Sequence, residues 1–437
     1  MIKTTHFDTY EDLLDFLDKE TGFTPPRIIE GRQMFLSKFN KWFFNFSDNY
    51  SDKQKWKCIF PDPSLGLSYP YPIDEISVAA SLALKNNDKS FAQTFLSIYH
   101  LEEKISKRQT VTLSGGELLL LCFAKAHTLK DITDKIFICT PTQWLHPTKY
   151  ELLQSLIKLY EDSKKEIHLL FMEGEESVLN KTKNNNPIIV TESKIKDSIP
   201  WSLNFKDLMV QFDEQTFPKA SAANKIKYTP YHFDNELQSP TLLIGDNGVG
   251  KSVFVKLLAG IINPTKGELT VRCLGNEGYG RVLLQDSLDQ LFGETIDNHL
   301  SRVFKYDKDR GKKAKEIYAS MLEALRDKVK DDVYLRTKKL SATDSNFIET
   351  VLQVKFALTA ERIESKPPLL ILDEPDWCLS KKLTALFIEI VVVIAHKNQI
   401  PVLIITHLNS WYSEYTNSIL EFKKGKENNT VEVLKIK

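Results

Sequence analysis

The chain has 437 residues, 42% of them hydrophobic, and its 58 Lys and Arg residues equal its 58 Asp and Glu residues in number. This length and apolar content predict a folded protein of two or more domains. The zero formal net charge argues against the basic surface of a protein that binds nucleic-acid phosphates. Five scattered cysteines without metal-ligand spacing favour a reducing compartment. We expect no secretory signal and no membrane span, because no apolar run approaches the roughly 20 residues that a bilayer-crossing helix needs.

The first half of the chain contains one anion-binding pattern and two strand-like runs. Leu113-Ser-Gly-Gly-Glu precedes an apolar stretch of helical length. A serine followed by two glycines at a helix start predicts an N-terminus whose backbone N–H groups bind an anion. The candidate binding residues here are Ser114, Gly115, Gly116 and Glu117. Apolar runs at 136–139 and 167–171 predict buried strands.

Residues 181–202 begin with a polar stretch rich in Asn and Lys. We predict that they link a domain at 1–180 to a domain at 203–437. Short apolar runs rich in branched side chains predict buried parallel strands in the second domain: 242–244, 369–372 and 402–405. Longer charged stretches of helical periodicity, such as 312–330, alternate with these runs. The alternation predicts an α/β fold with a mainly parallel sheet.

A phosphate-binding loop is predicted between the 242–244 strand and a helix at 253–259, where the sequence reads Gly-Asp-Asn-Gly-Val-Gly-Lys-Ser. Glycines let the backbone N–H groups turn inward around phosphates, and the helix N-terminus favours anions. Lys251 supplies positive charge to the β- and γ-phosphates, and Ser252 offers a hydroxyl to Mg²⁺. The candidate nucleotide-binding residues are Gly245, Asp246, Asn247, Gly248, Val249, Gly250, Lys251, Ser252 and Val253.

An acidic pair, Asp373-Glu374, ends the predicted strand 369–372. A carboxylate at the end of a buried strand is suited to holding Mg²⁺ through its water shell, which we expect of Asp373. The second carboxylate, Glu374, is a candidate for orienting or deprotonating the attacking water. The pair therefore predicts hydrolysis of the bound nucleotide.

These residues together resemble the ABC (ATP-binding cassette) ATPases. Gln285 resembles the family's Q-loop glutamine, His407 resembles its switch histidine, and the 113–117 segment is similar to its LSGGQ signature. The 285–295 segment looks more like the ATPases of energy-coupling-factor and cobalt-type importers than like exporters. The resemblance implies ATP and Mg²⁺, with catalytic residues Glu374, His407 and Gln285 and metal ligands Ser252, Gln285 and Asp373.

The resemblance also implies tandem P-loop NTPase cassettes, each a mixed, mainly parallel sheet with a helical subdomain, that form an intramolecular pseudo-dimer. Spacing suggests an internal duplication in which the first cassette has lost its chemistry. Its expected replacements are Cys139 for the magnesium aspartate, Thr140 for the catalytic glutamate, Glu173 for the histidine and Pro61 for the glutamine. We place its phosphate loop at 31–39, which has one glycine and no lysine at the required step.

The second cassette shows the reciprocal loss, because its signature position, which we place at 340–344, reads Leu-Ser-Ala-Thr-Asp. ABC cassettes pair head to tail, so the intact loop would face the intact signature and form one hydrolytic site. Neither His146 nor Ser380 is the usual D-loop aspartate. The adenine contact stays open, with Phe212 and Phe217 as candidates.

The functional hypothesis is an ATPase subunit that drives a membrane transporter and lies on the cytoplasmic face of the membrane through a transmembrane partner. The charged stretch 300–335 would dock that partner. A soluble ABC protein, either a translation factor of ABC family F or a regulatory or defence ATPase, is the alternative. The sequence does not indicate the cargo or the direction of transport.

Overall fold

The computed structural model describes most of the chain, namely residues 1–21, 28–29, 32–33, 56–60, 63–85, 89–101, 109–110, 113–145, 149–175, 193–211, 225–229, 232–246, 249–285, 287, 290–292, 296–331, 350–406, 408–425 and 430–437.

The first half contains a four-stranded parallel sheet of order β1-β6-β5-β4, together with a separate two-stranded ladder, β2-β3. Its described elements in chain order are β1 (Ile2–Phe7), α1 (Tyr10–Thr21), β2 (Ile28–Ile29), β3 (Arg32–Gln33), β4 (Trp56–Ile59), α2 (Pro72–Leu84), α3 (Lys89–Ile98), α4 (Gly115–Thr128), β5 (Lys135–Cys139), α5 (Tyr150–Asp162) and β6 (Glu166–Met172). The predicted strands at 136–139 and 167–171 are confirmed as β5 and β6.

The second half contains a larger mixed sheet of order β12-β11-β7-β8-β17-β16-β10-β15-β14-β13, and β9 pairs with β7. Its described elements are β7 (Ile199–Gln211), β8 (Lys225–Thr229), β9 (His232–Ser239), β10 (Thr241–Gly245), α6 (Lys251–Leu258), β11 (Lys266–Cys273), β12 (Asn276–Glu277), β13 (Arg281–Leu283), α7 (Ile296–Val303), α8 (Lys308–Asp331), α9 (Thr350–Glu364), β14 (Leu370–Asp373), α10 (Lys381–Lys397), β15 (Val402–Ile405), α11 (Asn409–Tyr412), β16 (Ser418–Lys424) and β17 (Thr430–Lys435). The α/β class and the three predicted strands of this half are confirmed.

The central strands of the second sheet are buried on both faces, as their continuous apolar runs predict. Alternate residues of β10, β14 and β15 point into two different hydrophobic clusters. One cluster contains Leu242, Leu370 and Leu372, and it also contains buried residues of the first half. The other contains Leu243 and Ile371 and lies against α6 and the antiparallel strands. The two halves therefore share one continuous apolar core.

Helix α8 shows how the charged stretch predicted at 312–330 folds. Its buried residues recur at helical spacing along one face, at Ala314, Met321, Leu325 and Val329. This stripe belongs to the shared hydrophobic cluster, and α8 packs against α9 and α10. Most of its charged residues lie on the opposite, exposed face, as expected of an amphipathic surface helix.

The parallel strands of the two halves repeat one another. The first-half order β1-β6-β5-β4 matches β10-β15-β14-β13 of the second half, and all of these neighbouring pairs are parallel. In the ladders Cys139 pairs with Leu170 as Asp373 pairs with Ile405. The two sheets thus share one order and register of parallel strands.

Candidate nucleotide-binding site

The predicted phosphate loop lies between β10 and α6. Gly245 ends β10, and a Cβ added there would lie 2.6 Å from the carbonyl oxygen of Phe422, so no larger residue fits beside β16. Gly250 has a φ of +107°, a left-handed conformation that favours glycine, and α6 begins at the next residue. Asn247 and Gly248 lie outside the described residues. The loop therefore ends on a helix N-terminus, as an anion site requires.

Lys251 is buried at the first position of α6. Its ammonium donates hydrogen bonds to the carbonyl oxygens of Gly245 at 2.6 Å and Asp246 at 3.2 Å. Burial lowers the pKa of Lys251, and the nearby carboxylates of Glu374 and Asp373 oppose that shift. The next residues along α6 are the exposed Ser252 and the half-buried Val253, and Val249 is buried in the loop. The positive charge therefore lies against the loop and close to the acidic pair.

The acidic pair lies at the carboxyl end of β14, between β13 and β15. Asp373 is 9% exposed and Glu374 is 8% exposed. Glu374 has a φ of +46°, and its N–H donates to the carbonyl oxygen of Ile405 at 2.8 Å. Burial and the neighbouring Glu374 raise the pKa of Asp373 to about 7, although Lys251 opposes the shift. The donor set of Ser252 hydroxyl, Gln285 amide and Asp373 carboxylate consists of hard oxygen ligands and fits Mg²⁺.

We expect Asp373→Asn to stabilise the fold at pH 8 and to abolish hydrolysis. The pKa of Asp373 is higher in the folded chain than its ordinary value of 3.8, so the folded state binds its proton more tightly and stability falls as pH rises from about 4 to about 7. Removing the ionised group would restore up to about 4 kcal/mol at pH 8 and almost nothing at pH 4. Thermal unfolding of both chains from pH 4 to 8, in EDTA and without nucleotide, measures the difference. A stability difference that does not vary with pH would contradict the expectation.

The first-half signature starts α4. Ser114 is the N-cap residue of this helix and forms a capping box with Glu117, in which the Glu117 N–H donates to the Ser114 Oγ at 3.4 Å and the Ser114 N–H donates to the Glu117 Oε2 at 2.8 Å. Gly115 is half-buried and Gly116 is buried in the first turn. The pattern predicted from Ser114 to Glu117 is therefore a capped helix start.

The structure brings the first-half signature to the second-half Gln285. A Cβ added at Gly115 would lie 3.1 Å from the Gln285 Oε1 and about 2 Å from ring atoms of Trp144. Glycine is required here because the Trp144 ring and the Gln285 amide both approach the helix start closely. Two groups that the sequence assigns to one composite site thus meet across the boundary between the halves.

Several predicted positions lie outside the described residues, namely 340–344, His407, Phe212, Phe217, Pro61 and His146. The ladders place Met172, rather than Glu173, at the position equivalent to His407.

The sheet topology argues against the placement of the first-half phosphate loop at 31–39, of which only Arg32 and Gln33 are described. The strand that occupies the position of β10 is β1, since Thr5 pairs with Leu170 as Leu243 pairs with Ile405. This register puts Phe7 at the position of Gly245. Only Asp8 and Thr9 separate β1 from α1, whereas five residues separate Gly245 from Lys251.

The start of α1 is occupied by its own side chains. The Thr9 hydroxyl accepts a hydrogen bond from the Asp12 N–H at 3.2 Å and donates one to the Asp12 carboxylate at 2.8 Å. A triphosphate at this helix start would have to displace the cap and approach the carboxylates of Asp8 and Asp12. The position equivalent to the phosphate loop is thus shorter than the loop from Gly245 to Ser252 and carries Asp8 and Asp12 rather than a lysine.

The first half nevertheless retains the backbone of the Asp-Glu turn. Thr140 has a φ of +42° where Glu374 has +46°. Cys139 is fully buried, its Sγ lies 4.0 Å from the Sγ of Cys58, and burial raises its pKa. Neither residue supplies a carboxylate. The first-half turn therefore has the backbone conformation of the Asp373-Glu374 turn without a carboxylate at either position.

The residues that join the halves next to the site could not be found in the sequence. Gln143 and Trp144 follow the Thr140 turn, and both contact the loop that follows Glu374. Their residue types are common in ordinary cores, and no spacing marks them as functional. Only the packing of the two halves reveals them.

The loop from Gly245 to Ser252, the helix that follows it and the buried Asp373-Glu374 pair define a P-loop ATPase. Residues 229–376 match the family model described as ABC transporter. The second half thus contains an ABC transporter ATP-binding domain, and the predicted enzymatic activity, ATP hydrolysis, is confirmed for this domain. Among the described residues, no helix is long and apolar enough to cross a bilayer.

Several curated relatives are ATP-binding proteins. The zinc uptake system ATP-binding protein ZurA of Listeria monocytogenes is 26% identical over 204 residues, which are 44% of this chain and 75% of that protein. The zinc import ATP-binding protein ZnuC of Rickettsia bellii is 29% identical over 42% of this chain and 71% of its own length. The energy-coupling factor transporter ATP-binding protein EcfA2 of Enterococcus faecalis is 23% identical over 43% of this chain, and the match spans 65% of that protein.

Several solved structures resemble this chain at lower sequence identity. A model of ribosome-bound archaeal Pelota and ABCE1 contains a chain that is 14% identical, with a TM-score of 0.49, and the match covers 98% of this chain and 69% of that chain. The structure of cbiO1 from Clostridium perfringens is 20% identical, with a TM-score of 0.36, over 53% of this chain and 87% of that chain. These likenesses are too low to support an argument about function.

Proposed function

We propose that this chain is the ATP-hydrolysing subunit of a membrane transporter and that it works through one composite site. The domains at 1–180 and 203–437 would act as an intramolecular cassette pair. The loop of the second would hold ATP, and the LSGGE segment of the first would close over it. The observation that carries the proposal is the close approach of Gly115 to the Gln285 amide.

Each residue has a defined part in this proposal. Lys251 and the N–H groups of the loop bind the β- and γ-phosphates, and the start of α4 at Gly115 and Gly116 supplies further N–H groups from the opposite side. Ser252, Gln285 and Asp373 would hold Mg²⁺, which neutralises phosphate charge when bound. Glu374 accepts a proton from the attacking water, and His407 contacts the γ-phosphate.

We expect the chain to bind one ATP. The position equivalent to the phosphate loop in the first half has only Asp8 and Thr9, and the Thr9 hydroxyl already accepts from the Asp12 N–H at the helix start. Isothermal titration of the full chain with a non-hydrolysable ATP analogue and Mg²⁺ should give one site. Lys251→Ala should remove that site, because it deletes the cation of the loop. Two sites of similar affinity, or one site that survives Lys251→Ala, would contradict the expectation.

The transport role is supported by the ABC transporter family model and by the names of the relatives, which include zinc import and energy-coupling factor ATP-binding proteins. The exposed face of α8, within 300–335, would dock the membrane partner. Affinity purification of the tagged chain from detergent-solubilised membranes tests this role. Recovery of a protein with membrane-spanning helices supports it, whereas recovery of ribosomes, or of no membrane protein, supports the soluble alternative.

A further inference from the structure

Gln143 of the first half binds the backbone of the second half directly beside the catalytic loop. Its side-chain Nε2 donates to the carbonyl oxygen of Leu379 at 3.0 Å, and its Oε1 accepts from the N–H of Cys378 at 3.0 Å. Gln143 is fully buried, as are Cys378 and Leu379. The amide therefore satisfies two adjacent backbone groups that have no access to water at this position.

The segment that Gln143 holds is continuous with the proposed catalytic residue. The Trp377 N–H donates to the Glu374 carbonyl oxygen at 3.2 Å, which closes a turn from Glu374 to Trp377, directly before Cys378. Cys378 has a φ of +59°, which is unfavourable for a residue with a side chain. Such a conformation persists only where neighbours fix it, and the bond from the Cys378 N–H to Gln143 is one of the contacts that do so.

Gln143 is itself held by a buried carboxylate. Glu175 accepts hydrogen bonds from the N–H of Thr142 at 2.9 Å and from the N–H of Met172 at 2.8 Å. It thereby ties the turn that carries Gln143 to the end of β6. Glu175 and Thr142 are both fully buried. The Gln143 side chain thus projects from a fixed turn and does not depend on a flexible loop.

Trp144 joins the same turn to the signature. Its ring lies edge-on to the ring of Trp377, with the centroids 6.3 Å apart, and it covers Gly115 at the start of α4. Both rings are almost completely buried. The first-half turn therefore touches the loop after Glu374 on one side and the signature on the other.

We propose that Gln143 is a positioning residue for hydrolysis in the second-half site, so that the first half contributes to catalysis without binding nucleotide in a loop of its own. This inference rests on the proposed function. Gln143 fixes the Cys378–Leu379 backbone, and that backbone fixes the turn from which Glu374 reaches the attacking water. Loss of the two hydrogen bonds leaves Lys251, Ser252 and the phosphate loop in place, so ATP binding is retained.

Gln143→Met tests the proposal, because methionine has nearly the same length and neither hydrogen-bonding group. We expect kcat to fall by about 100-fold, since a catalytic group displaced by about 1 Å loses that much rate, and the ATP dissociation constant to change by no more than roughly twofold. Gln143→Glu keeps the acceptor for Cys378 and loses the donor to Leu379, so it should give an intermediate kcat. Gln154→Met, on the exposed face of α5, is the matched control and should behave like the unaltered chain.

Steady-state phosphate release, fluorescent-ATP binding and thermal unfolding are measured on the same full-length proteins. An unchanged kcat in folded Gln143→Met or Gln143→Glu would overturn the positioning role and leave the proposed function standing. A parallel loss of ATP affinity and kcat would also overturn it, because that result indicates a general structural role. If the unaltered chain binds ATP but releases no phosphate, the proposed function fails, and the inference that rests on it fails too.

Discussion

Replacing Glu374 with glutamine is expected to lower the steady-state rate of ATP hydrolysis by about 10²- to 10⁴-fold, the usual contribution of a general base. Glutamine retains the size of the side chain, and the bond from its backbone N–H to Ile405 does not depend on the carboxylate. ATP binding should persist, because the phosphate-binding groups are Lys251 and the loop. Phosphate release measures the rate, and a fluorescent ATP analogue measures the binding.

The matched control is Glu432→Gln, on the exposed face of β17 and outside the site. It removes the same charge and should leave both measurements unchanged. Turnover by Glu374→Gln close to that of the control would show that another group accepts the proton. Loss of ATP binding in Glu374→Gln would instead show that Glu374 supports the fold of the loop.

The second-half site could be predicted in detail because its chemistry is contiguous in sequence. Eight consecutive residues, from Gly245 to Ser252, contain the glycines, the lysine and the hydroxyl of the loop, and an apolar strand precedes them. The acidic pair likewise follows four buried apolar residues, 369–372. Local pattern was sufficient where both the strand and the functional group lie within a few residues of one another.

The first-half equivalent could not be placed because its strand carries no such pattern. β1 reads Ile-Lys-Thr-Thr-His-Phe and only Phe7 is fully buried, so hydrophobic periodicity does not mark it as a sheet strand. Its position is set by pairing with β6, from Ile2 with Ile167 to Phe7 with Met172. Gly31 was a candidate because a phosphate loop needs glycine, whereas the two residues Asp8 and Thr9 connect β1 to α1.

The contacts between the halves could not be predicted from the sequence either. The pattern at Ser114 to Glu117 predicted an anion-binding helix start, and the resemblance implied that it faces the other cassette. The ring of Trp144 against Trp377 and the amide of Gln143 against Cys378 depend on packing between segments more than 200 residues apart in the chain. Tertiary contacts of this kind leave no local signal.

Gly115→Ala is expected to reduce ATP hydrolysis by about 100-fold while the second-half loop still binds ATP. The added Cβ would meet the Trp144 ring at about 2 Å and the Gln285 Oε1 at 3.1 Å, so the start of α4 must move away from the site. Displacement by about 1 Å costs about that factor when a group must meet the transition state. Alanine is favoured over glycine in a helix by about 1 kcal/mol, so the loss would not come from a weaker helix.

Gly66→Ala separates this effect from a general intolerance of the first half to added bulk. A Cβ at Gly66 would meet the Cys122 Sγ at 3.4 Å, an ordinary contact, and Gly66 lies in the same half of the chain. A composite site requires two results. Gly66→Ala should hydrolyse ATP at the unaltered rate, and Gly115→Ala should bind ATP but lose hydrolysis. If Gly115→Ala hydrolysed ATP normally, the first-half signature would have no part in the reaction, because displacing the start of α4 would then have no effect at Gln285.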